Sequence, residues 1–242
     1  MMDKERSTLE PTSRVAEHLQ AGNAGRARVA LKAFRAVIRL LFSIIFSVRV
    51  RGLKNVPRIP VIVCANHLGW TDPFLVLLYL PVEPRVYILG EHQVKEISGF
   101  RTRMINWMEV MVPLERTRPR EAMTVMEQVV RRGGSLLLFP EGRLGTEEGT
   151  LGELQHGAAR LSVATGAPLL PIGLTGTSQL WIRRRLWVRI GEPIYPTAFE
   201  GDDRGKTRSM TAELALRMKR LLPGDRQQAR VKLLKRWLTK LF

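Results

Sequence analysis

Along the chain the spacing of apolar residues runs from helical to strand-like and back. From Arg26 to Val50 (RARVALKAFRAVIRLLFSIIFSVRV), Val29, Ala33, Phe34, Val37, Leu40, Leu41, Ile44 and Ile45 recur at helical spacing and predict one amphipathic helix. Its most apolar stretch, Leu40 to Phe46, falls well short of the roughly 20 residues that cross a bilayer, and Arg26, Arg28, Lys32, Arg35 and Arg39 punctuate the rest. Such a helix either lies in a membrane interface or packs on its own domain. The preceding residues 1–25 carry Pro11, Gly22 and Gly25 among scattered polar positions and are expected to form a mobile arm. Their acidic start lacks the basic and apolar regions of a secretory signal.

Between residues 51 and 225 the pattern becomes short apolar runs separated by helical stretches. Pro60 to Ala65, Arg85 to Leu89, Val110 to Leu114, Ser135 to Phe139, Leu169 to Leu174 and Leu186 to Ile190 read as strands covered on both faces. Arg120 to Arg132, Gln155 to Thr165 and Lys206 to Leu222 read as helices, the first two closed by Gly133-Gly134 and Gly166. The alternation predicts a single α/β domain with a mostly parallel or mixed central sheet flanked by helices. Residues 226–242 return to helical spacing, with Val231, Leu234, Trp237, Leu238 and Leu241 on one face and Arg226, Arg230, Lys232, Lys235, Arg236 and Lys240 among them. Either this basic helix meets an anionic membrane surface or its apolar face closes the domain.

Composition narrows the partners. The 242 residues carry 39 Lys and Arg against 22 Asp and Glu, a net charge of +17 that favours nucleic acid, acidic lipid or phosphorylated small molecules. Only 7% aromatic residues and no recognisable nucleic-acid motif argue against nucleic acid. Cys64, the one cysteine, excludes a disulfide framework and a thiolate-rich metal site, and its strand position reads as a buried small residue. His18, His67, His92 and His156 form no ligand spacing of the HExxH type, and no GxSxG elbow surrounds a serine, so a metal or serine hydrolase is disfavoured. No metal and no bound cofactor is expected.

Candidate chemistry gathers where the apolar runs stop. Asn66-His67-Leu68-Gly69-Trp70-Thr71-Asp72-Pro73 follows the run Pro60 to Ala65, and Pro73 suits the first turn of a helix. Here His67 and Asp72 are either a base with the carboxylate that orients it, or a structural histidine beside a helix cap supplied by Thr71 or Asp72. Phe139-Pro140-Glu141-Gly142-Arg143 leads from a second run into a Gly-rich loop. Glu141, Gly142 and Arg143 either grip a hydroxylated, phosphorylated ligand or form a plain turn. Arg116, after Val112-Pro113-Leu114-Glu115, either contacts phosphate or pairs with a surface acid such as Glu115. Pro168 and Pro171 in APLLPIG offer only an apolar wall.

Taken in order, these four segments resemble those of the glycerophospholipid acyltransferase family, which includes bacterial 1-acylglycerol-3-phosphate acyltransferases. The resemblance covers roughly Val50 to Pro196, with the first motif complete as NHLGWTD and the third present as FPEGRL. It departs from the family at Val110, where a glycine usually opens the second motif, at Pro113, and at Arg143, displaced by one residue. In the later segment LQHG the usual basic residue is shifted or absent, and His156 either replaces it or is a surface histidine.

The resemblance implies that residues 51–225 are an acyltransferase domain transferring an acyl group from acyl-CoA to lysophosphatidic acid, giving phosphatidic acid. It implies His67 as general base, Asp72 as its orienter, Arg116, Glu141, Gly142 and Arg143 as substrate-binding, and Asn66, Phe139, Pro140, Pro168 and Pro171 as supporting. An acyl carrier protein thioester is an alternative co-substrate. Other acceptors remain open: glycerol-3-phosphate, another lysophospholipid or a glycolipid. So does a noncatalytic protein binding acidic lipid or nucleic acid. With the two terminal helices, the expected location is monotopic, on the cytoplasmic face of an inner or plasma membrane, against anionic lipid.

Overall fold

A computed structural model of the chain describes residues 25–81, 83–91, 111–114, 119–222 and 234–239. The expected arm, residues 1–25, lies outside the described residues except for Gly25, as does most of the C-terminal segment. The strands are β1 (Ser47–Arg51), β2 (Ile62–Ala65), β3 (Val86–Glu91), β4 (Met111–Leu114), β5 (Ser135–Leu138), β6 (Leu169–Thr175) and β7 (Arg185–Ile190). The helices are α1 (Gly25–Ile45), α2 (Thr71–Tyr79), α3 (Pro119–Arg131), α4 (Gly157–Thr165), α5 (Asp203–Arg220) and the short α6 (Lys235–Thr239). They build one seven-stranded sheet in the order β1-β7-β6-β2-β5-β3-β4. Only β6 and β7 pair antiparallel, through a short connection; the other neighbouring pairs are parallel. The expected mixed α/β sheet is the sheet observed.

One boundary differs from the expectation. The helix expected over 26–50 ends at Ile45, and Ser47–Arg51 is a strand beside β7. The reason is a change of period: Val48 and Val50 pack on the core while Arg49 and Arg51 are exposed, an alternation of two that a helix would scatter. The sheet-bearing region thus starts at Ser47, ahead of residue 51.

The core lies in two layers because β2 and β6 are buried on both faces. On one side Ile62, Leu136 and Leu169 meet Val129 of α3, Leu161 of α4 and Leu214 of α5. On the other, Val63, Leu170 and Val188 meet Leu75 and Val76 of α2, Phe46 and Leu238. Leu238, expected on a membrane-facing stripe, is 3% exposed, whereas Leu234 is 52% exposed. The segment is tied down by Trp70 Nε1 donating to Leu238 O (3.0 Å) and Leu180 N donating to Thr239 Oγ1 (3.0 Å). At Leu238, closure of the domain is therefore the observed role.

Helix α1 has two apolar faces. Phe34, Ile38 and Phe42 pack toward Phe74 and Leu78 of α2, while Val37, Leu40, Leu41 and Ile44 stay exposed. Arg35 joins the helices by donating to Leu78 O (2.9 Å) and Leu80 O, carbonyls at the end of α2 that lack helical partners. Burial, helped by Arg39, pushes the Arg35 pKa down to about 10. Arg35→Met should leave those two carbonyls without their donor and cost about 1–3 kcal/mol, read as a lower urea midpoint with an unchanged slope.

Candidate active site

Three parallel strands, β2, β5 and β6, end on the same edge of the sheet, and their outgoing loops meet there. In open α/β sheets this carboxyl edge is where ligands bind. Asn66 stops β2: its Nδ2 donates to Leu174 O (2.9 Å) and its Oδ1 accepts from Leu174 N (2.7 Å), so the side chain takes the place of the next ladder rung. The chain then turns outward, and His67 follows.

His67 Nδ1 lies 2.9 Å from Asp72 Oδ2. The same oxygen accepts from Leu68 N (2.5 Å) and Gly69 N (2.8 Å), so Asp72, fully buried, holds both the ring and the loop that carries it. An oxygen already accepting two amide protons takes a third, which places the imidazole proton on Nδ1 and leaves the Nε2 lone pair for a reacting group. The ring stacks on Phe139, with centroids 4.0 Å apart and planes at 16°. It keeps 25% side-chain exposure, enough for a substrate to reach it. Neither Thr71 nor Asp72 caps α2: the cap position is Trp70, without a side-chain bond, because the Asp72 carboxylate is occupied upstream.

Glu141 is 8% exposed, and its two oxygens accept from His67 N (3.4 Å) and Gly152 N (2.8 Å). Expected to face a ligand, its carboxylate instead ties the loop at His67 to the loop at Gly152. A Cβ on Gly152 would stand 2.9 Å from that carboxylate, so a larger residue there would have to displace the Glu141 side chain from the Gly152 amide. Gly142 takes the left-handed conformation (φ +68°) that the turn needs, and Arg143 beside it is exposed. Gly145 N donates to His67 O (2.6 Å), closing the same loop from its far side.

The remaining candidates divide. Phe139 and buried Pro140 stand at the site, Pro140 O accepting from Gln155 N (2.7 Å). Pro168 does not reach it: its carbonyl accepts from Ile62 N (2.9 Å), where β2 starts, at the opposite end of the sheet. Pro171 is buried inside β6 beside Cys64. Both prolines hold strands together and neither walls the site. Cys64 is fully buried, which pushes its thiol pKa up and keeps it from acting as a thiolate. Exposed His156 pairs with Thr211 Oγ1 (3.0 Å), joining α4 to α5. Val110, Glu115 and Arg116 lie outside the described residues, and Pro113 lies in β4 opposite Gly90. Among the described residues no group of three or more His, Cys, Asp or Glu could hold a metal ion.

Sequence reasoning missed Glu148, which ties the loop after Gly145 to the turn after β6 through Gly176 N and Ser178. An acid in a Gly-rich, Glu-rich loop reads as solvated, and nothing local links it to partners 28 and 30 residues away.

Known proteins resemble this chain in sequence and in fold. The acyltransferase family model matches residues 47–175. A chloroplastic 1-acyl-sn-glycerol-3-phosphate acyltransferase of Brassica napus is 29% identical over 141 residues, covering 54% of this chain and 38% of that protein. The 1-acyl-sn-glycerol-3-phosphate acyltransferase of Borreliella burgdorferi is 28% identical over 159 residues, covering 64% of this chain and 62% of that protein. The matched region thus spans less than two thirds of either relative. The crystal structure of the 1-acyl-sn-glycerophosphate acyltransferase of Thermotoga maritima superimposes with a TM-score of 0.65 at 20% identity, over 89% of this chain and 90% of that one, which shows a shared fold.

Replacing Asn66 with Ala would leave the Leu174 N–H and C=O buried and unpaired. The variant should lose about 2–5 kcal/mol of stability if each group costs its usual desolvation penalty, measurable by chemical denaturation.

Proposed function

The chain belongs to the acyltransferase family, and on that premise we propose that it transfers an acyl group from a thioester donor to the free hydroxyl of 1-acyl-glycerol-3-phosphate, forming phosphatidic acid. The observation that carries this reading is the Asp72-held His67, with Nε2 free, at the carboxyl edge of the sheet. The relatives' activity supplies the acceptor class. In the reaction His67 Nε2 takes the acceptor hydroxyl proton as that oxygen attacks the thioester carbonyl. The tetrahedral intermediate collapses to the new ester and expels the thiolate, which receives the proton from the imidazolium. Asp72 stabilises the imidazolium while it exists and returns the ring to the same tautomer. No acyl-enzyme forms, and no cofactor is needed.

Arg143, exposed on the loop framed by Glu141, is a described side chain suited to the acceptor phosphate, and Arg116, outside the described residues, is a second candidate on its motif position alone. Glu141 and Gly142 contribute by shaping that loop. The donor is acyl-CoA or an acyl carrier protein thioester; the basic surface suits the phosphates of one and the carboxylates of the other.

The acceptor resides in lipid, and α1 offers a way to meet it. No helix among the described residues is long and apolar enough to cross a membrane. Instead Val37, Leu40, Leu41 and Ile44 form an exposed stripe whose last turn lies toward the His67 end, where Arg183 N donates to Ile45 O (2.6 Å). Exposed Ile182 and Leu144 stand on turns at the same end. This arrangement supports a monotopic enzyme on an anionic cytoplasmic leaflet, its catalytic edge toward the lipid.

Purified protein in anionic vesicles with lysophosphatidic acid and acyl-CoA should yield phosphatidic acid by mass spectrometry, and folded His67→Ala should lose about 10² to 10⁴ in rate. Transfer to a different acceptor only, or a His67→Ala variant keeping more than about a tenth of the activity, would contradict the reading. In vesicle flotation, replacing Leu40, Leu41 and Ile44 together with Ser should release the protein from anionic vesicles while leaving its fold intact. Undiminished flotation would remove α1 from the interface.

A further inference from the structure

Beyond the His67–Asp72 pair and the Glu141 frame, one more carboxylate is wholly committed at the catalytic edge. Glu148 accepts from Gly176 N (3.0 and 2.9 Å to its two oxygens), from Ser178 N (3.0 Å) and from Ser178 Oγ (2.8 Å). A carboxylate receiving two backbone amides and a hydroxyl is held in one place, and holds its donors there by charge-assisted bonds. The turn it grips is built tightly. Gly176 is left-handed (φ +93°), a Cβ on it would meet Arg185 O at 2.2 Å, and its carbonyl accepts from Nε of buried Arg184 (3.3 Å).

This turn matters because of what it touches. The carbonyl of Thr177, at its centre, would lie 2.8 Å from a Cβ on Gly69, so the backbone at Gly69 runs directly against it. Gly69 N is one of the two amides on Asp72 Oδ2, the oxygen that holds His67. A continuous series of contacts therefore runs from Glu148 through the 176–178 turn to Gly69, Asp72 and the imidazole. The loop bearing Glu148 also reaches His67 directly, because Gly145 N donates to His67 O.

We propose that Glu148 is a positioning residue for the reaction: by pinning the 176–178 turn against Gly69 it keeps the Asp72 oxygen on His67 Nδ1. The proposal rests on His67 acting as the base. It predicts an effect on turnover more than on acceptor binding, because Glu148 touches neither the ring nor the loop surface where the substrate phosphate would lie. Small displacements of a reacting group are costly, about 10²-fold for 1 Å.

The test compares Glu148→Gln with Glu147→Gln, which removes the same charge one residue away from an exposed side chain. Glu148→Gln should lower kcat by about 10-fold to 10²-fold with KM for the acceptor within about twofold, while Glu147→Gln leaves both unchanged. In proton NMR of the full chain, the His67 Nδ1–H signal, assigned by its loss in His67→Ala, should be resolved in the wild type and in Glu147→Gln but broadened by exchange in Glu148→Gln. Gly69→Ala, which pushes the same two segments apart, should reproduce both changes and serves if Glu148→Gln fails to fold. Unchanged kcat in Glu148→Gln, or a lower kcat with an unaltered Nδ1–H signal, would overturn the proposal. The NMR readout needs no acyl transfer, so a wild type inactive on every acceptor would count against the proposed function and leave this inference to be decided by the signal alone.

Discussion

The geometry of the carboxyl edge of the sheet depends on a single oxygen, Asp72 Oδ2, which accepts from the His67 ring, Leu68 N and Gly69 N. A fully buried carboxylate would be costly without such donors, and here the donors are the His67 ring and the loop that carries it. The spacing His67 to Asp72 follows from this. The intervening loop is just long enough for the carboxylate, in the first turn of α2, to reach back over its own N-terminus.

Other polar side chains then use the same device in different places. Asn66 completes the β2–β6 ladder, Glu141 holds His67 N and Gly152 N, and Glu148 holds the turn after β6. In each, a side chain satisfies backbone groups that the irregular loops leave without partners. The loops at this edge are thereby tied to one another and to the sheet, the kind of support that the proposed base would need to meet a proton in one position. The glycines serve the same packing: at Gly69 backbone meets backbone too closely for a Cβ, and at Gly152 a Cβ would press on the Glu141 carboxylate.

Much of this was legible in the sequence. Every expected strand in the middle of the chain exists, because leucine- and valine-rich runs bounded by Gly and Pro have few other ways to be buried. His67, Asp72 and Phe139 were legible because their contacts are local or lie at strand ends. Less visible were features set by partners far along the chain. Val48 and Val50 become strand because β7 offers an edge, Glu141 turns toward backbone amides, and Glu148 is explained only by Gly176 and Ser178. Pro168 looked like part of the site because it belongs to the fourth motif, yet it stands where β6 begins while Asn66 and His67 lie where β6 ends. Motif order along a chain does not tell which end of a strand a residue occupies.

The central proposal is that the Asp72 carboxylate holds His67 in the tautomer that takes the acceptor proton and stabilises the imidazolium that forms. Asp72→Asn tests it most directly, because an amide oxygen placed at the Oδ2 position could keep all three hydrogen bonds while removing the charge. Measured under saturating donor and acceptor, with circular dichroism to show the fold retained, its kcat is expected to fall by about 10² or more. An Asp72→Asn enzyme that keeps more than about a tenth of wild-type turnover would contradict the account, since the carboxylate would then be serving the loop and not the chemistry.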